Sequence, residues 1–163
     1  MPISHSTLTG AAGEHHVMAQ LLRRGFVAAL APAGVPTADI IVTDPEGQMT
    51  AAVQVKTRLE TGGDGGWLMR PKHEKIIGDR LFYVFVNLTD APDCFILSSA
   101  VVAEAICKTH RMWLSKPGAK GQQRRDSDVR RLLPSYDKIA GPEAGYPPGW
   151  LEPYRDNWEL LRR

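Results

Sequence analysis

The sequence predicts a single mixed α/β domain: an amphipathic helix leads, about three strands follow, and a short helix, one or two further strands and more helices complete the chain. Two bulk properties agree with this. At 163 residues with 43% hydrophobic side chains, the chain is about the size of one ordinary domain and buries enough surface for a core without disulfides. Its 23% charged residues are too few for wholesale disorder.

From Thr7 to Arg24 the apolar and small positions Leu8, Ala11, Ala12, Val17, Met18, Leu21 and Leu22 recur at three- and four-residue spacings, and Gly25 is placed as a stop. Phe26 to Leu30 reads as a short strand, broken by Pro32, Gly34 and Pro36. Ala38 to Thr43 is β-branched and ends in the turn Asp44-Pro45-Glu46-Gly47; Thr50 to Thr57 alternates, completing a hairpin. The run Thr61 to Gly66 reads as a flexible loop, and Pro71 to Ile77 as a short helix opened by proline. Leu81 to Leu88 is almost wholly apolar, as a strand covered on both faces is, and Phe95 to Leu97 pairs beside it. Ser98 or Ser99 caps a helix to about Thr109. Further helices are expected at Asp126–Leu133 and, from the spacing of Tyr154, Trp158 and Leu161, at Glu152–Leu161. The division expected is a core over residues 1–110 and a basic, helical extension over 111–163 packed on the same domain.

Against this apolar framework stand Glu14 in the first helix, Asp39 near the start of one strand, and Gln54 with Lys56 in the next. Residues two apart in a strand point to one side, so Gln54 and Lys56 share a face, and the hairpin brings Asp39 beside them. An oxygen-lined site with one or two carboxylates suits Mg²⁺, which relies on water and phosphate oxygens for its other ligands. A neighbouring lysine positions a metal-bound water and stabilises charge developing on phosphorus. The chemistry inferred is phosphodiester hydrolysis.

The order Glu14, Asp39, Gln54-Val55-Lys56, carried by GAAGEHHVMAQLLRRGF, PTADIIVTDPEG and AAVQVKTR, resembles the PD-(D/E)XK nuclease superfamily. The motif match covers about Gly10 to Arg58. The resemblance implies a restriction-endonuclease-like fold: a mixed central sheet flanked by helices, here with a C-terminal helical extension. It implies a metal-dependent nuclease, an Mg²⁺-dependent endonuclease most naturally of DNA, with Mn²⁺ as a substitute. Asp39 and Gln54 would ligate the metal, with the main-chain carbonyl of Val55 as a further ligand. Lys56 would orient water, and Glu14 would serve as an outer or second-metal carboxylate. The chain departs from the family at Gln54, where Glu or Asp is commoner. With Glu14 and Asp39 at −1 and Lys56 at +1 the four sum to −1, against −2 with a glutamate, so metal affinity is expected to be weaker. Two other readings stand beside the first. One is an inactive nuclease-fold module that binds nucleic acid or a protein partner; the other is an interaction domain in which the four polar residues pair with one another.

Other candidates read as structural. His15 and His16 are consecutive on a helix, about 100° apart, and chelate one metal poorly; His73 follows the glycine loop and more often packs than meets phosphate. The glycine run lacks the GxxxxGK[ST] pattern, and Tyr154 and Trp158 are expected to dock the last helix. The net charge of +2 does not mark a nucleic-acid partner, but its distribution does. Lys108, Arg111, Lys116, Lys120, Arg124, Arg125, Arg130 and Arg131 face only Asp126 and Asp128, a local excess of +6. Lys116, Lys120, Arg124, Arg125, Arg130 and Arg131 are therefore expected to hold a phosphate backbone without reading bases. Cys94 and Cys107 lack metal spacing and read as thiols of a reducing cytoplasm; no leader or membrane span is expected, and cutting both strands would favour a homodimer.

Overall fold

A computed structural model of the chain describes residues 5–59 and 63–163. In chain order it contains α1 (His5–Leu22), β1 (Val27–Leu30), β2 (Ile40–Thr43), β3 (Thr50–Leu59), β4 (Trp67–Met69), a 3-10 turn at Pro71–Glu74, β5 (Leu81–Leu88), β6 (Asp93–Ser98), α2 (Ser99–Ser115) and β7 (Arg130–Leu132). Three further 3-10 turns, Pro142–Ala144, Glu152–Tyr154 and Trp158–Arg162, finish it.

Five strands form a mixed sheet in the order β1-β2-β3-β5-β6. β3 and β5 run parallel with Gln54 opposite Tyr83 and Lys56 opposite Phe85, and the other neighbours are antiparallel. A parallel pair needs a long crossover. Here it carries β4, which pairs antiparallel with β7 in a separate two-stranded sheet.

Alternation along β3 divides the core. Val53 and Val55 join Phe82, Val84 and Val86 of β5 against Val17 and Leu21 of α1, and Trp158 and Leu161 close this side. Tyr83 and Phe85 face the other way, onto Val102, Ala105 and Ile106 of α2 together with Trp67, Met69 and Leu132. β5 is therefore buried on both faces, from Leu81 through Asn87, as its apolar run requires. Ser98 caps α2 by accepting from the Val101 N–H, and the helix runs on past Thr109 to the residues before Pro117. Both cysteines are free, and burial pushes the Cys94 thiol up to about 12. No helix among the described residues is long and apolar enough to cross a membrane.

Several elements differ from expectation. Asp126–Leu133 is not a helix: its last residues form β7, because β4 offers them main-chain partners. Glu152–Leu161 is two 3-10 turns rather than an α-helix, since Pro153 supplies no N–H and Asp156, at φ 49°, breaks the path between Tyr154 and Trp158. The Pro71–Ile77 helix shrinks to the turn Pro71–Glu74. Thr61 and Gly62 of the expected glycine loop lie outside the described residues; Gly63 to Gly66 lead into β4.

Candidate active site

Asp39 sits one residue ahead of β2, where that strand parts from β3. Its main-chain N–H donates to the Val53 carbonyl at 2.9 Å and its carbonyl accepts from Ala31 at 2.8 Å, so its backbone is held from both sides. Its Oδ2 accepts from the Val55 N–H at 2.7 Å. The carboxylate thus takes the acceptor's place that the departing main chain of β2 gives up, and is fastened between Gln54 and Lys56.

The other groups are defined by that carboxylate's field. Lys56 is half-buried; burial holds its ammonium below the usual lysine range, against the opposing pull of Asp39, and the charge of Lys72 lowers it further. Glu14, on α1, lies within the field of Asp39, its carboxyl raised first by burial and then by that charge. Asp39 therefore acts electrostatically on both. Gln54 is 8% exposed, and its Oε1 is buried without a hydrogen-bond partner. Leaving an amide oxygen so costs about 1–3 kcal/mol.

Two groups that sequence reasoning left in the core complete the surroundings. Tyr83, opposite Gln54 on β5, has a buried hydroxyl without a partner and is pushed up to about 12 by burial and by Asp39. His73 packs edge-on to it with ring centroids 5.9 Å apart. Its Nδ1 accepts from the Arg70 N–H at 2.9 Å, which leaves the proton on Nε2, itself buried and unpartnered. Burial, Lys56 and Lys72 lower His73 to about 4, so the ring is neutral at pH 7. The one sequence signal for Tyr83 was a hydroxyl inside the run LFYVFVNL.

Among the described residues no three His, Cys, Asp or Glu side chains form a metal-holding group. Asp39, Glu14, Gln54 and the Val55 carbonyl make a hard oxygen set of the kind Mg²⁺ takes, with Gln54 on the Tyr83 side of β3 and Glu14 on the helix packed against its Val53–Val55 side. The unpartnered Oε1 of Gln54 fits such an ion, because it is an acceptor with no donor of its own.

The basic segment is less uniform than its sequence. Lys116 Nζ donates to the Ala140 carbonyl and lies 3.1 Å from Glu143; Arg124 stacks on Trp113 at 4.8 Å and donates to its carbonyl. Arg130 is 5% exposed and ion-paired with Glu74 and Asp126, and Arg131 is held by Asp64 and the Gly66 carbonyl. Lys120 and Arg125 are exposed. Of the remaining histidines, His15 Nδ1 lies 2.9 Å from the Ala11 carbonyl within its own helix.

The architecture is a restriction-endonuclease-like fold. The chain is similar over 98% of its length to the structure of a bacterial homing endonuclease, I-Ssp6803I, covering 94% of that chain at 15% identity and a TM-score of 0.55. It is also similar, over 83% of its length and 95% of the other chain, to Hjc, a Holliday junction resolvase from Archaeoglobus fulgidus, at 14% identity and a TM-score of 0.45. No family profile and no curated protein matches the chain.

Proposed function

We propose that the protein is a metal-dependent nuclease that hydrolyses phosphodiester bonds of DNA. The observation that carries this reading is the Asp39 carboxylate fastened to the main-chain N–H of Val55, the residue between Gln54 and Lys56 on β3, with Lys56 inside its field. The homing endonuclease that shares the fold supports it.

In this reading Asp39, Gln54 and the main-chain carbonyl of Val55, with Glu14 beyond them, would hold Mg²⁺ or Mn²⁺, which supplies Lewis acidity toward a phosphate oxygen and a more acidic water. The protein's part is positional and electrostatic. Lys56 donates a hydrogen bond to the attacking water or the phosphate, and its ammonium, lowered by burial, gives up a proton more readily than an ordinary lysine. Asp39, anchored through Oδ2, would offer its other oxygen to the ion. The raised carboxyl of Glu14 takes up a proton more readily than an ordinary glutamate. Lys120 and Arg125 hold the nucleic-acid backbone, and two copies of the chain would cut both strands.

Gln54 favours a second reading, a nuclease-fold module that binds nucleic acid or a partner without cutting it, because it removes one of the expected ligand charges. One experiment separates the two. Purified protein with Mg²⁺ or Mn²⁺ should cleave DNA, and Lys56→Met and Asp39→Asn should each lower the rate by about 10²–10³ or more with a nearly unchanged thermal midpoint. Salt-sensitive DNA binding by a wild type that never cleaves would establish the second reading instead.

A further inference from the structure

Gln54, Lys56 and Arg58 alternate onto one face of β3, and Arg58 lies opposite Asn87 of β5. Two residues beyond Lys56, about 7 Å along the strand, this face opens into a cavity of about 180 Å³. Asn87 lines it: the side chain is 9% exposed, and its Oδ1 is buried without a partner. A buried amide in that state is costly unless something outside the chain pairs with it.

The walls indicate what that partner is. Arg58 lies over the Trp67 ring at 5.1 Å and Arg155 over the Phe95 ring at 4.7 Å, and all four residues line the cavity. Guanidinium groups lying over aromatic rings are surfaces of the kind against which unstacked bases lie. Arg155 is fixed there by Asp93 and by Glu152, whose Oε2 it meets at 2.8 Å. The two arginines and two carboxylates of the cavity sum to zero formal charge. A phosphate would meet the carboxylates unfavourably; a neutral, planar, hydrogen-bonding group would not.

We infer that this cavity is a nucleobase subsite, in which an unstacked base of the bound DNA lies against the guanidinium planes and is read on its edge by the Asn87 amide. This rests on the nuclease reading above and adds base recognition to a site otherwise limited to the backbone. An asparagine amide, whose oxygen accepts and whose NH₂ donates, matches the N6 and N7 edge of adenine.

The test is equilibrium binding in EDTA, free of cleavage, of fluorescein-labelled single-stranded oligo(dA) and oligo(dT), read by anisotropy across a salt titration. The wild type should bind oligo(dA) more tightly, by about tenfold. Asn87→Leu should abolish that preference while leaving the salt slope unchanged, since no phosphate contact is removed. Its thermal midpoint should stay level or rise, because an unpartnered amide is replaced by an apolar group; Asn87→Ala, which adds no bulk, serves the same purpose if the leucine does not fold. An equal preference in the wild type and the folded variants, or none in the wild type, overturns the subsite alone. A wild type that binds neither oligonucleotide also overturns the subsite, whereas the nuclease reading is overturned only by a wild type that neither binds nor cleaves duplex DNA with Mg²⁺ or Mn²⁺.

Discussion

Arg130 was expected to contact phosphate, yet the structure gives it a different task, and substitution distinguishes the two. It is 5% exposed, its Nε donates to the Glu74 carboxylate, and Nη1 reaches Asp126 at 3.1 Å and the Ser127 carbonyl at 2.7 Å. Glu74 is only 15% exposed, whereas Asp126, at 61%, is well solvated, so Glu74 is the partner that matters. The pair ties β7 to the turn that carries His73. Removing one partner from a buried ion pair costs about 3–5 kcal/mol, because the other charge is left uncompensated. With Asp126 still near the guanidinium, Glu74→Gln should fall at the low end, about 2–3 kcal/mol. For a domain of this size that is a drop of roughly 4–12 °C in melting temperature. Replacing both partners, Glu74→Leu with Arg130→Met, should recover most of the loss, since apolar groups of similar volume substitute well for a buried pair. Thermal denaturation followed by circular dichroism measures all three proteins. Arg130→Met should also leave the salt slope of DNA binding at its wild-type value. A Glu74→Gln protein that melts within 1 °C of wild type, or an Arg130→Met slope flattened by about one unit, would refute the structural role.

Gln54→Glu restores the commoner ligand charge, so calorimetry should show Mn²⁺ bound at least about tenfold more tightly; without metal the variant should melt lower, because a third carboxylate joins Asp39 and the already raised Glu14. Unchanged or weaker binding removes Gln54 from the ligand set. Lys120→Ala with Arg125→Ala, the exposed pair of the basic segment, should flatten the slope of log K against log salt by roughly 1–2 units for all DNA sequences alike; a wild-type slope makes the segment merely solvated surface.

How much the sequence revealed follows the range of the interactions involved. β5 was readable end to end because each residue from Leu81 to Asn87 is buried, whichever face it points to. The β2–β3 hairpin was readable because its turn is local, and with it the approach of Asp39 to β3. β4 and β7 were not. Each is three residues long, and each is a strand only because the other, more than sixty residues away, supplies its hydrogen bonds. Arg130 compounds this: a buried arginine looks like a surface charge until Glu74 is known to sit beside it. Tyr83 was hidden for the opposite reason, since its hydroxyl lies within a face that is otherwise aromatic and aliphatic.

The position of Glu14 depends on the residue before it. Gly13 is buried where α1 crosses β3, and a Cβ built there would lie 1.8 Å from Thr57 Oγ1 and 2.8 Å from Thr57 Cβ. The second contact is to an atom fixed by the strand, so no rotamer change relieves it. Gly13→Ala must therefore push α1 off the sheet by about an ångström, with an overpacking cost of about 1–3 kcal/mol. Glu14 moves with the helix, away from Asp39. Its carboxyl should then titrate closer to an ordinary glutamate, because burial and the Asp39 charge are what raise it, and NMR titration of the side chain reads this without any turnover. If the nuclease reading holds, a displacement of this size should also lower cleavage by about 10²-fold. Thr57→Ala, added to Gly13→Ala, removes the Oγ1 contact but keeps the one at Cβ, so it should restore part of each loss. A Gly13→Ala protein with wild-type melting, an unmoved Glu14 titration and full activity would mean that the helix has slack, and that its close approach to β3 does not set the position of Glu14.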